Sequence, residues 1–178
     1  WAGGRAVVVG ASMAGLLAAR VLIDRFETVT VVERDSLPDE PVPRRGVPQA
    51  RHPHVLWEAG RTTLEDLFPG YGEELLSAGG LLIDLGRDFH AYDQGGFLAE
   101  GPRRLPMYSA SRPLFEHTTR RCVADFDGVD VRAGCQFTDY LDTDAGTSVD
   151  GVATRDEDAA RSELAADLVV DAIGRASR

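Results

Sequence analysis

A glycine-rich turn near the start of the chain joins a strand pattern to a helix pattern. Arg5 to Val9 is mostly apolar and β-branched without alternation, as in a strand buried on both faces. The turn Gly10-x-Ser12-x-x-Gly15 follows at once, and an aliphatic stretch of helical character comes after it. Gly10 permits a tight turn, a small residue at Ser12 lets backbone N–H groups approach a pyrophosphate, and Gly15 lets helix and strand pack closely. The segment therefore predicts a strand, turn and helix that bind a dinucleotide.

A second strand pattern supplies an acid at the spacing that such a turn requires. Thr28 to Val32 is β-branched, and the helix that precedes it makes the pairing with the first strand parallel. Glu33 ends this strand 18 residues after Gly15, near the ~20 residues at which an acid binds ribose hydroxyls in dinucleotide-binding folds. The sequence therefore predicts that Glu33 binds a ribose. The hydroxyl of Ser12 is expected to be able to donate to a phosphate.

Two other interpretations of the turn stay open. The first is a glycine turn in a Rossmann-like fold that binds nothing. The second is a nucleophile elbow, because residues 10–14 are one residue away from the pattern G-x-S-x-G. Only nine residues precede Gly10, whereas an elbow follows an inner strand that several other strands precede. The position in the chain therefore favours the dinucleotide motif over a nucleophile at Ser12.

The composition excludes several kinds of enzyme from this chain. Its 178 residues include 19 basic residues, all of them Arg, so there is no Lys for a P-loop, a Schiff base or a Tyr/Lys dehydrogenase pair. The net charge of −10 argues against a nucleic-acid partner, which selects a basic surface. No apolar run reaches the ~18 residues of a membrane span. Cys122 and Cys135 fit no CxxC or zinc spacing and indicate a reduced, cytoplasmic protein.

The chain after Glu33 predicts a long loop, two helices and several short strands. Asp35 to Pro53 is rich in Pro and Arg and predicts an ordered loop without helix or strand. Gly95-Gly96 predicts a turn before a short strand pair. Helices are predicted over Val55–Phe68 and Tyr71–Ala78, and strands over Leu81–Leu85, Gly128–Arg132, Gln136–Leu141, Thr147–Thr154 and Ser162–Asp171.

A further helix is expected to begin near Ser111, with Pro113 tolerated in its first turn. The spacing of seven and four residues places Phe115, Cys122 and Phe126 on its inner face. The three strands that follow residue 135 are separated by turn clusters and predict an antiparallel meander. The last of them is apolar enough to return to the interior of the parallel sheet.

The order of these elements distinguishes between two kinds of dinucleotide fold. Roughly 90 residues separate Glu33 from the next parallel-type strand, whereas a plain NAD-binding domain continues with a second βαβ unit. The order, with its meander before the last strand, resembles the glutathione-reductase-type FAD fold. Within that class the chain resembles the flavin monooxygenases related to para-hydroxybenzoate hydroxylase.

Three stretches carry the resemblance. They are residues 9–20 with 32–34, residues 44–54, and residues 111–116 with 166–178. The second stretch, Arg44-Arg45-Gly46-Val47-Pro48-Gln49-Ala50-Arg51-His52-Pro53-His54, looks like a loop of bacterial polyether-type epoxidases and of neighbouring halogenase-like or reductase-like flavoproteins. The third ends in a segment similar to the family's second cofactor motif, in which Asp-Gly or Thr-Gly usually stands where this chain has Ile173-Gly174.

The resemblance implies contacts with FAD for residues of the first stretch. Gly10, Ser12 and Gly15 would cradle the pyrophosphate. Glu33 would bind the adenosine ribose, and Arg34 would lie along the adenine. These roles agree with the functions that the spacing of the motif already predicts for the turn and for its acid.

The resemblance also implies contacts for residues of the other two stretches. Arg44 or Arg45 would approach the pyrophosphate or the ribityl chain, and Arg112 would contact the cofactor from its helix, because the planar guanidinium suits phosphate oxygens. At the second motif, Ile173 removes an expected side-chain contact. The backbone approach at Gly174 stays expected.

The predicted fold class is α/β, a glutathione-reductase-type FAD/NAD(P)-binding Rossmann fold with a parallel sheet, a β-meander crossover and a few strands of an incomplete substrate domain. Residues 1–79 are assigned to the first part of the FAD-binding domain, 80–110 to a partial substrate domain and 111–178 to the second part of the FAD-binding domain. In the resembling family a Gly-Asp motif follows. We therefore expect the N-terminal part of a longer enzyme, which alone binds FAD weakly and catalyses nothing.

The function implied by the resemblance is that of an FAD-dependent monooxygenase. It would use NAD(P)H and O2 to place one oxygen atom in a small apolar metabolite, by epoxidation or hydroxylation. No catalytic side chain is assigned, because the flavin carries the chemistry. The alternatives are a flavin-dependent reductase or halogenase, of which a halogenase requires a Lys near the flavin, and a non-catalytic nucleotide-binding module. His52 and His54 lack a third ligand at a suitable spacing, so no metal site is predicted; the oligomeric state is left open.

Overall fold

The computed structural model describes residues 3–97, 99, 101, 104–142 and 147–174. Within these ranges the chain has twelve strands, four α-helices and a 3-10 helix over Pro48–Arg51. In chain order the strands and α-helices are β1 (Gly3–Val9), α1 (Met13–Ile23), β2 (Phe26–Val32), β3 (Pro53–Leu56), α2 (Glu58–Leu67), α3 (Tyr71–Ser77), β4 (Leu81–Asp84), β5 (Tyr92–Asp93), β6 (Gly96–Phe97), β7 (Pro106–Ser111), α4 (Arg112–Ala124), β8 (Val129–Arg132), β9 (Gln136–Asp142), β10 (Val149–Arg155), β11 (Arg161–Ala165) and β12 (Leu168–Asp171). None of the helices in these ranges has the length and apolar character needed to cross a membrane.

A four-stranded parallel sheet forms the centre of the fold, in the order β12-β1-β2-β8. Val8 stands between Val31 and Val170 of the neighbouring strands. Because successive side chains of a strand point to opposite faces, Val8 packs among the helices while Val7 and Val9 pack against the meander. Both faces of β1 are thus covered, which explains its continuous apolar run.

Antiparallel layers flank the parallel sheet. Strands β9, β10 and β11 form the predicted meander, with β10 in the middle. A second antiparallel sheet has the order β3-β7-β4, and β5 pairs with β6 in a hairpin. The α/β fold class with a parallel sheet and a meander crossover is therefore confirmed.

The single strand predicted over Ser162–Asp171 is wrong, because the structure divides it into β11 and β12. The break falls at Asp167, whose carboxylate accepts the backbone N–H groups of Gly4 and Arg5 at 2.8 and 2.9 Å. The N–H of Asp167 donates to the carbonyl of Arg5 at 2.8 Å. These contacts hold the chain beside β1 after it leaves the meander, and β12 begins at the next residue.

Two predictions between residues 35 and 68 are also corrected. The loop over Asp35–Pro53 includes the 3-10 helix, and its last residue starts β3. The helix predicted over Val55–Phe68 begins only at Glu58, because Val55 belongs to a strand. This strand pairs with β7, some fifty residues further along the chain, and that pairing overrides the local helical pattern.

The remaining elements agree closely with their patterns. The strand predicted over Leu81–Leu85 and the helix over Tyr71–Ala78 both form. The turn at Gly95 lies within the β5–β6 hairpin rather than before a strand pair. Helix α4 begins as predicted, since the hydroxyl of Ser111 accepts the N–H of Leu114 at 3.2 Å and caps the helix.

Candidate functional site

A cleft of about 230 Å³ opens at the carboxyl ends of β1 and β2, beside the first strand of the meander. Five of the predicted cofactor-binding residues line it: Gly10, Ser12, Glu33, Arg34 and Arg44. The rest of the lining comes from neighbouring strand ends and turns, namely Val9, Val32, Gly46, Cys135, Gln136, Phe137, Thr138, Ala172 and Ile173. Ligands of open α/β sheets bind at this edge, outside the carboxyl ends of the strands.

At Gly10 and Gly15 the backbone of the turn leaves no room for a side chain. Gly10 has φ +105°, and a Cβ there would lie 2.8 Å from the carbonyl oxygen of Ala172. A Cβ on Gly15 would lie 1.8 Å from the carbonyl oxygen of Gly10. The positive φ of Gly10 is a left-handed conformation that other residues rarely adopt. The close approach at Gly15 arises because the helix passes directly over the turn. Both are the geometry that the motif predicts.

The amino-terminal end of α1 faces the cleft without a side-chain cap. Ser12 is the N-cap residue in extended conformation, its hydroxyl makes no capping bond, and the first turn carries no acid. The first N–H groups of a helix lack partners within the helix and carry partial positive charge, so this end suits an anion.

The hydroxyl of Ser12 is hydrogen-bonded to side chains of helix α4. It donates to Oε2 of Glu116 at 2.8 Å and accepts from Nη2 of Arg112 at 3.3 Å. A hydroxyl has a single hydrogen to donate. In this structure the hydrogen goes to Glu116, which differs from the expectation that it goes to a phosphate.

Glu33 is buried at the end of β2, with its carboxylate held on one side by the backbone. Oε2 accepts the N–H of Ala11 at 2.9 Å, and Oε1 accepts the N–H of Asp35 at 3.1 Å. Oε2 also lies 3.2 Å from Nη1 of Arg44. These contacts hold the carboxylate at the cleft beside the glycine turn, where the spacing of the motif predicts it.

Arg44 is at the centre of a buried cluster of charges. Its Nε donates to Oε1 of Glu116 at 2.6 Å, its Nη1 donates to Oδ2 of Asp35 at 3.2 Å, and its Nη2 donates to the carbonyl of Ala11 at 3.0 Å. Burial alone would lower the pKa of Arg44. The hydrogen bond and charge of Glu116, with the charges of Glu33 and Asp35, raise this pKa above its usual value. Arg44 is therefore the counterion shared by three carboxylates, and most of its donors have protein partners.

The other three predicted cofactor-binding arginines differ in exposure and in their contacts with the cleft. The side chain of Arg34 is 60% exposed at the rim of the cleft. Arg45 lies outside the cleft and lines a neighbouring depression together with Arg34 and Arg155. Arg112 reaches Ser12, and its buried Nε has no hydrogen-bond partner in the part of the chain that the structure describes. Of the three, Arg112 is thus the one with a buried donor left free beside the turn.

The second motif lies next to the glycine turn. Ala172 donates its N–H to the carbonyl of Val9, and Ile173 lines the cleft. Gly174 follows with φ +81° and no atom within 4 Å of an added Cβ. The residues after it, 175–178, lie outside the described residues.

Several contributors to the site were not singled out by the sequence. Glu116 lay within the stretch after Ser111, and its contact with Ser12 joins residues that are 104 positions apart. Asp35 lay in the predicted loop, where its side chain accepts the N–H of Gly46 at 2.7 Å. Tyr140 of the meander donates to Asp171 at 2.9 Å, and the same carboxylate accepts the N–H of Ile173. The contacts of Glu116 with Ser12 and of Tyr140 with Asp171 join residues far apart in the chain, so no local pattern marks them.

His52 and His54 are close in the structure, where Nδ1 of His54 lies 2.8 Å from the carbonyl oxygen of His52. They do not line the cleft. Within the described ranges, no group of three or more His, Cys, Asp or Glu side chains has an arrangement that could hold a metal ion.

Comparison with known proteins supports the assignment of the fold. No protein-family model matches the sequence. Protein Rv3254 of Mycobacterium tuberculosis (strain ATCC 25618 / H37Rv) is 38% identical over 184 residues, which cover 97% of this chain and 38% of the relative. The chain thus spans about two fifths of the length of this curated relative.

Two solved structures show the same architecture. PqsL, a probable FAD-dependent monooxygenase from Pseudomonas aeruginosa, has a TM-score of 0.59 and 14% identity, and the match covers 95% of this chain and 40% of PqsL. A mutant of 2-methyl-3-hydroxypyridine-5-carboxylic acid oxygenase has a TM-score of 0.58 and 20% identity, with 94% of this chain and 38% of the oxygenase covered. The chain has the fold of the FAD-binding domain of such monooxygenases.

Proposed function

We propose that this chain is the cofactor-binding part of an FAD-dependent monooxygenase and that the cleft binds the ADP portion of FAD. The observation that carries this proposal is the convergence of Gly10, Ser12 and Glu33 in one cleft at the carboxyl ends of β1 and β2. The fold of the oxygenases described above supports it, because their matched region covers nearly all of this chain.

The residues present fit an ADP group from one end of the cleft to the other. The pyrophosphate would lie against the bare backbone of Gly10 and the uncapped end of α1, where a Cβ would be in the way. The unpartnered Nε of Arg112 is the nearby donor that an anion would satisfy. The carboxylate of Glu33 would accept the ribose hydroxyls, and Arg34 would lie along the adenine at the rim. Gly174 would approach the cofactor through its backbone.

The two arginines of the loop take different parts in this proposal. Arg44 acts through the protein, because it neutralises Glu33 and holds the loop against the turn. Arg45 contacts the cofactor only if its exposed side chain turns towards the cleft from the neighbouring depression. Among the predicted phosphate ligands, Arg112 is therefore better placed than Arg44 or Arg45.

The reaction that we propose is the transfer of one oxygen atom from O2 to a small apolar organic substrate, by epoxidation or hydroxylation. A bound flavin supplies the redox chemistry, with NAD(P)H as the reductant. The role of this chain is to bind and orient the cofactor; it alone is expected to bind FAD weakly and to catalyse nothing. Substrate binding and turnover are proposed for a protein of the length of these relatives, of which this chain spans about two fifths.

A ligand series tests whether the cleft recognises the ADP group. FAD and ADP should bind and compete with each other, whereas FMN should not bind, because it lacks the adenosine and its pyrophosphate. In Glu33→Gln, ADP should bind about tenfold more weakly, since a charge-assisted bond to the ribose is lost. The matched control Glu27→Gln removes an exposed carboxylate from β2 and should leave the affinity unchanged. Calorimetry measures each value.

The two cysteines provide an independent readout of occupancy. Cys135 lines the cleft, whereas Cys122 lies on α4 among the helices. ADP or FAD should slow the alkylation of Cys135 and leave the rate at Cys122 unchanged, as measured by mass spectrometry of the labelled peptides. Equal rates at Cys135 with and without saturating ADP would contradict the placement of the ligand.

The remaining functions are distinguished by further results. A chain that binds ADP but not FAD would support the non-catalytic nucleotide-binding module. A longer protein that binds FAD and oxidises NAD(P)H without incorporating oxygen from O2 into a product would support a reductase. Absence of binding to both ADP and FAD would overturn the proposal.

A further inference from the structure

Glu116 lies where the phosphate end of the proposed site meets helix α4, and the functions discussed so far do not use it. The residue is 4% exposed and belongs to the second turn of α4. One oxygen accepts the hydroxyl of Ser12 at 2.8 Å, and the other accepts Nε of Arg44 at 2.6 Å. The protein thus places its own anion beside the end of α1 that suits an anionic ligand.

We propose that Glu116 is a positioning residue that acts through Ser12 and Arg44 to weaken the binding of pyrophosphate groups at this end of the cleft. The inference rests on the proposed function, since it assumes that the cleft receives the ADP portion of a dinucleotide. It concerns a different property, which is how tightly the phosphates are held relative to the adenosine.

The first step concerns the single hydrogen of the Ser12 hydroxyl. While Glu116 accepts that hydrogen, Ser12 presents only lone pairs to a ligand, and a phosphate oxygen needs a donor. Arg112 uses one of those lone pairs through Nη2 at 3.3 Å. A phosphate that takes the hydrogen of Ser12 must therefore displace the carboxylate of Glu116.

The second step concerns charge. The carboxylates of Glu33, Asp35 and Glu116 all lie within 3.2 Å of the guanidinium of Arg44, so three negative charges share one buried positive charge. A pyrophosphate adds further negative charge next to this cluster. In a buried site of low dielectric constant, like charges repel more strongly than they do in water. Glu116 thus opposes the phosphates even where it does not touch them.

The isosteric substitution Glu116→Gln reverses both effects. The amide oxygen can still accept Nε of Arg44, while the amide NH2 donates to Oγ of Ser12 and leaves the hydroxyl hydrogen free for a phosphate. One negative charge is removed at the same time. ADP should therefore bind about tenfold more tightly to Glu116→Gln than to the wild type. Adenosine, which has no phosphate, should bind both proteins equally.

The test is calorimetry of wild type, Glu116→Gln and the double variant Ser12→Ala/Glu116→Gln with ADP and with adenosine. The double variant should lie between the other two, because it keeps the change of charge but has no hydroxyl to donate. Glu74→Gln is the matched control: it removes a carboxylate from α3, outside the cleft, and should leave both affinities unchanged. A variant that only loosened the fold would weaken ADP and adenosine together.

The outcomes separate this inference from the proposed function. Wild type that binds ADP, with Glu116→Gln equal to it or weaker, would overturn the role of Glu116 and leave the proposed function standing. A double variant as tight as Glu116→Gln would overturn the route through Ser12. Wild type that binds neither ADP nor adenosine would overturn the proposed function and this inference with it. If Glu116→Gln does not fold in a thermal melt, Glu116→Asp replaces it: the shorter carboxylate withdraws from Ser12, and ADP should bind about threefold more tightly.

Discussion

The two faces of helix α4 carry opposite kinds of chemistry within one helix. The face towards the helical core presents Phe115, Thr119 and Cys122, which are uncharged. The face towards the cleft presents Arg112 and Glu116, which are charged and bind Ser12. The contrast follows from partners: a buried charge is stable only where an opposite charge meets it, and Arg44 meets Glu116 on the cleft face.

The core face keeps its polar groups neutral instead. The hydroxyl of Tyr71 lies 3.2 Å from Oγ1 of Thr119, and burial raises the pKa of Tyr71 to about 12. Burial, together with the charge of Glu74 and a hydrogen bond to it, raises the pKa of Cys122 to about 12. The same helix therefore stabilises ionised groups on one side and protonated groups on the other. This difference can be tested by removing one partner from each face.

The largest effect is expected from Arg44→Met, which removes the partner of Glu116 on the cleft face of α4. The change leaves three carboxylates without their shared counterion while keeping most of the side-chain volume. Removing one partner of a buried ion pair costs about 3–5 kcal/mol, and the free energy of unfolding in urea should fall by that amount. Arg45→Met, at the neighbouring position of the loop, should change it by less than about 0.5 kcal/mol. A loss no larger in Arg44→Met than in Arg45→Met would show that the cluster does not depend on Arg44.

The residues on the core face of α4 could be predicted from the sequence, whereas the contacts on the cleft face could not. The start of the helix near Ser111 and the inward positions of Phe115 and Cys122 were predicted and are confirmed, because helix periodicity is a local property. Phe126 packs against the same core, but the helix ends before it, at Ala124. The partners of Glu116 are 72 and 104 residues away. No periodicity within the helix marks such contacts.

The same distinction applies to the fold and the cleft. The glycine turn and Glu33 form from a contiguous segment of 24 residues between Gly10 and Glu33, and the structure places them as the motif predicts. Strand β3 was missed because its strand partner, β7, is distant in the sequence. Motifs that act through their own backbone can be predicted from the sequence. Charges that balance each other across the fold require the structure.

A smaller effect is expected from Tyr71→Phe on the core face. The substitution removes a hydroxyl that lies 3.2 Å from Thr119 and 3.4 Å from the carbonyl of Phe115. Thr119 keeps its own bond to the carbonyl of Phe115 at 2.8 Å, so no polar group is left without a partner. The free energy of unfolding at pH 7 should fall by about 1 kcal/mol. The exposed ring of Tyr92 provides the control, since Tyr92→Phe should cost nothing measurable.

The last effect concerns the pH at which stability begins to fall. The pKa of Cys122 is about 12 in the folded chain against 9.0 as the ordinary value, so the folded state keeps a proton that the unfolded state loses. This contribution is fully present below pH 9.0 and is lost as the pH rises towards about 12. Tyr71 contributes in the same direction, but only from pH 10.0 upwards. In Cys122→Ala, the fall of stability should therefore begin near pH 10.0 rather than near pH 9.0.

Urea unfolding from pH 8 to 11, with each protein normalised to its own value at pH 8, measures this displacement. Tyr71→Phe provides the crossed comparison, because it should keep the onset of wild type and reduce only the slope above pH 10.0. If Cys122→Ala and wild type fell together from pH 9.0, the neutral thiol would not be part of what stabilises the core face of α4.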